Sequence, residues 1–331
     1  MKLSRLLSIF LFNLLLLLIG LFLLEIICRV AGIPYKQDWT PNEYGFARFD
    51  HELGWSYIPH KSAINKTGDV EIPVYFDENG IRIPRPDFKF DYLRPSILFI
   101  GDSFTMGHGL LYEDSFVGRF SQFKEVQYQV VNLGVQGYGS DQALLTLKKF
   151  LSRFNAKIVV YTFIEDHILR NGNYDRRTLI PTARFIGTKP LFALDKAGKL
   201  YLKKKPVLYK DYINSYLLDF LKIRIGKALG LFPPYPVNLT REIIKEMKKY
   251  SENNGAYFVV INWRWTEKDN RKIFQDLDVD LIDTLKDSPP GWSDMRLFGG
   301  VHPNAEASKH VAKLLLDYFK EKGLLRLEKA S

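Results

Sequence analysis

Apolar residues along this chain fall into three kinds of run. The first is Leu6–Leu24, near-continuous and broken only by Ser8, Asn13 and Gly20, with Ile26 and Ile27 beyond it. A bilayer core takes about 20 apolar residues of helix, whereas a cleaved leader has a shorter apolar stretch and a small-residue cleavage site. Here the run passes into Glu25-Ile26-Ile27-Cys28-Arg29 with no small residue ahead of the cysteine. That predicts an uncleaved transmembrane helix and speaks against lipid attachment at Cys28. The second kind is short and continuous: Ile97–Ile100, Tyr128–Leu133, Ile158–Phe163, Tyr257–Ile261 and, more weakly, Val279–Ile282. Such runs predict strands buried on both faces, the habit of parallel sheets. The third kind has helical spacing. Ser140–Phe154 puts Ala143, Leu144, Leu147 and Leu151 on one face, and Leu239–Tyr250 aligns Ile243, Ile244 and Met247. A last helix, capped by Asn304 and stopped by Gly323, turns Ala307, Val311, Leu314, Leu315 and Tyr318 inward.

Strands alternating with helices predict an α/β fold: a three-layer α/β/α sandwich with a mostly parallel sheet, preceded by one transmembrane helix. Three regions follow. Residues 1–32 form a cytoplasmic N-terminus and membrane anchor. Residues 33–95 are an irregular, strand-poor prelude whose Asn79-Gly80 turn joins Val70–Phe76 to Ile81-Arg82-Ile83 as a hairpin. Residues 96–331 are the α/β domain, interrupted at about 173–235 by an insertion with prolines, a lysine run and an amphipathic stretch around Tyr212–Leu229.

Charge changes this picture little. The net charge of +10 over 331 residues is spread along the chain, and its densest run, Lys203-Lys204-Lys205, has no aromatic interleaving. This biases the surface toward anionic headgroups or glycans, and no nucleic-acid-binding motif accompanies it. Lys2 and Arg5 ahead of the apolar run favour a cytoplasmic N-terminus, which places the rest in the periplasm or outside the cell. With Cys28 the only cysteine, no disulfide within the chain forms. The six histidines show no i, i+4 pair and no dinucleotide fingerprint follows the first α/β strand, so neither metal nor cofactor is expected.

Three polar clusters follow predicted strands or precede the last helix, where open parallel sheets bind ligands. Gly101-Asp102-Ser103-Phe104-Thr105 places a serine at a strand-to-helix turn, its own amide at the helix start where an oxyanion is stabilised. Asn132-Leu133-Gly134-Val135-Gln136-Gly137-Tyr138-Gly139 is a glycine-rich turn with backbone amides to offer. His302-Pro303-Asn304 puts a general-base candidate before the last helix. Trp263 and Trp265 follow the fourth strand, as cleft or packing residues.

Taken in order, these blocks resemble the SGNH, or GDSL, hydrolase family. The resemblance runs from about Ser96 to Leu325 and includes Gly101–Gly109 and Val131–Gln142. The Leu53-Gly54-Trp55, Pro59 and Asn79-Gly80-Ile81-Arg82 segments resemble those of membrane-tethered members. The resemblance implies a flavodoxin-like sandwich and ester hydrolysis. It implies Ser103 as nucleophile, His302 as base, and the amides of Ser103 and Gly137 as oxyanion-hole donors; Asp102 would brace the turn.

Two departures stand out. Glu165, in Phe163-Ile164-Glu165-Asp166-His167, takes the place of the family's oxyanion-hole asparagine; one lost donor costs about 3 kcal/mol. A protonated Glu165, a donor from His167 or Asn171, or a shifted backbone would replace it. Gly299 and Gly300 stand where the family has the triad aspartate. Candidates to orient His302 are Asp294, Glu165 and Asp166; otherwise a backbone carbonyl does so and the site runs as a dyad. The expected function is an extracytoplasmic esterase acting on an ester-bearing substrate, with envelope polysaccharide the candidate from location. An O-acyltransferase using the same serine, and an inactive glycan-binding relative, are the alternatives.

Overall fold

The computed structural model describes residues 2–33, 45–67, 70–175, 186–208, 215–231, 235–267 and 272–325. Helix α1 (Lys2–Val30) is a single span, and its Ser4–Val30 portion is long and apolar enough to cross a membrane. Five strands follow: β1 (Ala47–Asp50), β2 (Gly54–Tyr57), β3 (Ser62–Thr67), β4 (Val70–Phe76) and β5 (Arg82–Ile83). The expectation of a strand-poor segment is thereby corrected. β1 Ala-Arg-Phe-Asp and β3 Ser-Ala-Ile-Asn-Lys-Thr lack apolar runs because they are half-exposed edge strands. The expected hairpin forms, with Tyr75 paired to Ile83 and Phe76 to Arg82.

Strands β6 (Pro95–Ile100), β7 (Gln129–Asn132) and β8 (Asn155–Phe163) come next, separated by α2 (Ser103–Met106), α3 (Phe116–Ser121) and α4 (Ser140–Phe150). After α5 (Asp166–Gly172) come the hairpin β9 (Leu191–Leu194) and β10 (Leu200–Lys204), then α6 (Tyr216–Ala228) and α7 (Val237–Asn253). β11 (Tyr257–Asn262), β12 (Asp280–Asp283) and α8 (Ala305–Glu321) complete the order. The amphipathic stretch thus becomes α6; Tyr212–Asn214 lie outside the described residues. The helix expected over Ser140–Phe154 stops at Phe150, where the chain turns to enter β8. Asn304 caps α8, its side chain accepting from the Glu306 and Ala307 amides at 3.0 Å each.

One eight-stranded sheet runs β12-β11-β8-β6-β7-β5-β4-β3. Its first five strands are parallel, and the last three add antiparallel. Counting the parallel strands in chain order gives 2-1-3-4-5, whose switch point lies between β6 and β8. Alternate residues explain the layers. Leu98, Ile100, Val131, Val159 and Val260 pack against Ala143, Leu144 and Leu147 of α4 and Ile243, Ile244 and Met247 of α7. Ile97, Phe99, Val130, Val160 and Ile261 pack against Phe116 and Phe120 of α3 and Val311, Leu315 and Phe319 of α8. A third cluster, with Phe46, Trp55, Tyr57 and Phe76, covers Met106, Val135 and Tyr138 of the loops beyond β6 and β7.

Candidate active site

The turn after β6 is tight for stated reasons. A Cβ on Gly101 would strike the Thr105 side chain and lie 3.1 Å from the Thr162 carbonyl oxygen, so no larger residue fits. Asp102 caps α2, accepting from the Phe104 amide at 3.0 Å, and Gly107 ends the helix in a left-handed conformation. The Asn132 side chain ties the next loop to this turn. It donates to the Thr105 carbonyl at 2.9 Å and accepts from the Gly134 amide at 3.0 Å. Gly134 itself lies so close that a Cβ would sit 2.7 Å from the Thr105 carbonyl carbon. Ser103 is held between these layers at the β6/β8 switch point, largely buried.

His302 reaches Ser103 from the loop before α8: its Nε2 is 2.9 Å from the serine Oγ, across 199 residues of sequence. Burial holds its imidazole below the usual histidine range, against an opposing pull from Asp102. Among the described residues this is the only side-chain hydrogen bond His302 makes. The three acid candidates are placed elsewhere. Asp294 is exposed and accepts from Ser293, Asp166 sits 3.5 Å from Arg170, and Glu165 accepts from the Tyr235 hydroxyl at 2.7 Å. Ser103 and His302 therefore stand as a pair with no carboxylate hydrogen-bonded to the imidazole among the described residues; the Phe298–Val301 turn carries no acid and Asp294 is exposed.

The Ser103 amide makes no hydrogen bond among the described residues, which leaves it available to an oxyanion. Gly137 has a left-handed conformation, on a loop fixed from both sides by β2. Trp55 Nε1 donates to the Gln136 carbonyl at 2.9 Å, the Gln136 amide donates to Tyr57 Oη at 3.0 Å, and Tyr138 Oη donates to the Trp55 carbonyl at 2.5 Å. Neither His167 nor Asn171 points into the cleft as a donor. The Asn171 amide goes to Ser140 and Thr240, at 3.0 and 2.8 Å. His167 Nδ1 pairs with Tyr161 Oη at 2.8 Å, and its Nε2 lies 3.3 Å from Asp102 Oδ2.

Three residues near Ser103 were given no role from the sequence, although Arg82 and His108 lie within the motifs quoted there. Arg170 donates to Asp102 Oδ2 at 2.6 Å and to the Tyr138 carbonyl at 2.8 Å, so one guanidinium bridges the neighbours of Ser103 and of Gly137. With His167 it holds the fully buried Asp102 carboxyl well below the usual carboxylate range, against the opposing cost of burial. Arg82, buried and without a carboxylate partner among the described residues, donates to the carbonyls of Met106, Gly107 (2.9 Å) and Leu110 (2.7 Å). The loop it clamps carries His108, whose ring centroid is 4.4 Å from that of His302. The amide groups of Asn65, at 3.2 Å, and Gln136 both meet His108 Nδ1, which places the ring proton on Nε2. Burial, with help from His302 and Arg82, pushes its pKa down to about 3, so it stays neutral. Trp263 is core, packed against Phe104 and Phe116, while Trp265 is partly exposed beside Arg296.

No family model matches the chain, and no curated protein matches it. Solved structures similar to it include a psychrotrophic esterase from a Pseudoalteromonas species, crystallised inhibited by monoethylphosphonate. It is 14% identical with a TM-score of 0.41, covering 69% of this chain and 98% of that one. A lipase/acylhydrolase from Enterococcus faecalis is 13% identical with a TM-score of 0.40, covering 71% and 100%. A GDSL-like lipase from Bacteroides thetaiotaomicron is 12% identical with a TM-score of 0.37, covering 69% and 88%.

Proposed function

We propose that the chain is an SGNH-type serine esterase, held at a membrane by α1 with its α/β domain on the extracytoplasmic side. The observation that carries the activity is the 2.9 Å contact between Ser103 Oγ and His302 Nε2 beside an unengaged serine amide. As Ser103 Oγ attacks the ester carbonyl carbon, its proton passes to His302 Nε2 and the carbonyl oxygen takes up negative charge against the Ser103 amide. The Gly137 amide is the second donor in this reading. Collapse breaks the acyl–oxygen bond, and His302 returns the proton to the departing alcohol. Water then attacks the acyl-enzyme, giving its proton to His302, and the acid leaves with Ser103 restored. The buried Asp102–Arg170–His167 cluster takes no proton in this sequence; it sets the turn that aims Ser103. Lys2 and Arg5 ahead of α1 support the orientation.

The test is covalent labelling by a fluorophosphonate probe together with turnover of p-nitrophenyl acetate. Ser103→Ala is expected to abolish both, and His302→Ala to slow turnover by about 10³-fold or more. Equal labelling of Ser103→Ala, or full turnover by His302→Ala, overturns the assignment. Adding a sugar acceptor and weighing the products separates hydrolysis from acyl transfer.

A further inference from the structure

Helix α6 presents a face that no other element covers among the described residues. Leu218, Leu221, Ile225 and Leu229, spaced i, i+3, i+7 and i+11, form one stripe, and Leu231 continues it. These five leucine and isoleucine side chains are 39 to 67% exposed. Lys222, Arg224 and Lys227 are exposed on the same helix. The helix begins against α1. Glu25 accepts from the amides of Tyr216 and Leu217 at 3.1 and 2.8 Å, and from Ser215 Oγ at 2.8 Å. Arg29 pairs with Glu25 at 2.6 Å and lies over the Tyr216 ring, 5.1 Å from its centroid. Glu25 and Arg29 directly follow the apolar run Leu6–Leu24, so α6 starts where α1 would leave the hydrocarbon core.

At its other end the chain leads from α6 to Tyr235, whose hydroxyl donates to Glu165 at the carboxyl end of β8. That strand neighbours β6, which leads into Ser103. Tyr235, four residues beyond Leu231, is thus tied to the carboxyl end of β8.

We infer that α6 is a second membrane-contacting element, lying in the interface plane beside α1 with its Leu218–Leu229 stripe in the leaflet, and that it holds the cleft at the bilayer surface to act on esters carried by membrane-resident molecules. An apolar face flanked by basic residues is what an interfacial helix needs on an anionic leaflet. This rests on the reading of α1 as a membrane span and of Ser103 as an esterase nucleophile, and the test separates all three.

The full chain, with Cys28→Ser so that one new cysteine is unique, is reconstituted in vesicles of phosphatidylcholine and phosphatidylglycerol. Single cysteines at Leu15→Cys, Leu221→Cys, Ile225→Cys and Lys227→Cys carry an environment-sensitive fluorophore, quenched by brominated lipid. Strong quenching is expected at Leu15→Cys, shallower quenching at Leu221→Cys and Ile225→Cys, and none at Lys227→Cys, which lies opposite the stripe. If Leu15→Cys is unquenched, the anchor reading fails. If Leu15→Cys is quenched while Leu221→Cys and Ile225→Cys behave like Lys227→Cys, the interfacial helix is overturned. A blue shift at Leu221→Cys that grows with protein-to-lipid ratio and ignores brominated lipid assigns the stripe to a second copy and also overturns it. For the substrate, Leu221→Glu with Ile225→Glu should leave p-nitrophenyl acetate turnover unchanged and slow a vesicle-embedded long-chain p-nitrophenyl ester about tenfold. Equal rates on the vesicle ester overturn the substrate assignment. A wild type inactive on both esters instead rejects the esterase reading.

Discussion

At the residue scale the site combines neutral imidazoles with one heavily supported carboxylate. The proposed base, His302, can accept a proton only when neutral, and its pKa is lowered from the ordinary 6.5, chiefly by burial. Esterase activity should therefore rise with pH along an acid limb centred below 6.5; a kcat/KM profile centred above that value contradicts the assignment. His108 makes a separate statement about stability. Its folded pKa, about 3, lies below its unfolded value of 6.5, so the unfolded chain takes up the proton first. Its contribution is complete above pH 6.5 and is lost progressively toward pH 3. Urea midpoints of His108→Gln should accordingly fall less steeply over that window than those of wild type. Asp102 loses its guanidinium partner if Arg170 is removed, and an uncompensated buried charge costs about 3–5 kcal/mol. Arg170→Met should be destabilised on that scale, with Asp102→Asn in the same chain restoring part of the loss.

At the scale of elements, the segment before β6 is the surprise. β2 pins the Gln136–Tyr138 loop by three hydrogen bonds, β3 supplies Asn65 to His108, and β5 supplies Arg82 to the loop after α2. Arg82→Leu takes a donor from three carbonyls and leaves that of Leu110 without one among the described residues, at about 1–3 kcal/mol. Thermal unfolding should show the loss, and Arg82→Lys should recover part of it. The five parallel strands and α4, α7 and α8 were legible because their patterns are local: continuous apolar runs for strands buried on two faces, and a 3.6-residue stripe for helices lying on them. Ser103 and His302 were legible because each sits beside a recognisable turn. Arg82, His108 and Arg170 were not. Apart from the i,i+4 contact of Arg170 with Asp166, the hydrogen-bond partners of their side chains lie 24 to 68 residues away, and no spacing rule links a guanidinium to a distant row of carbonyls. The edge strands escaped notice for a related reason. Half-exposed strands such as β3, with Lys66 paired to Glu71 at 2.5 Å, mix polar and apolar residues without a run. Asp294 was a reasonable acid from sequence, but the Gly291–Asp294 turn leaves its carboxylate in solvent.

The whole molecule divides its labour between an apolar rod and an α/β body. Among the described residues α1 is unburied along its span, and its strongest attachment is the Glu25 cap on α6. On the proposed reading, removing residues 1–33 should leave turnover of a small soluble ester near that of wild type, since among the described residues none of α1 is hydrogen-bonded to Ser103 or His302. It should also loosen the start of α6, visible as faster amide exchange at Tyr216 and Leu217.

The dyad closes between two points of the chain 199 residues apart, with His302 ahead of the final helix. A ribosome adding roughly 5–20 residues per second needs about 10–40 s to cover that distance. Throughout that interval the serine already exists, yet nothing can take its proton. On the proposed reading a nascent chain is consequently inert, and it gains its reactivity only after α8 has been made and docked. In the proposed mechanism the order of parts along the chain thus works as a built-in delay, keeping the serine without its base until the last helix is made.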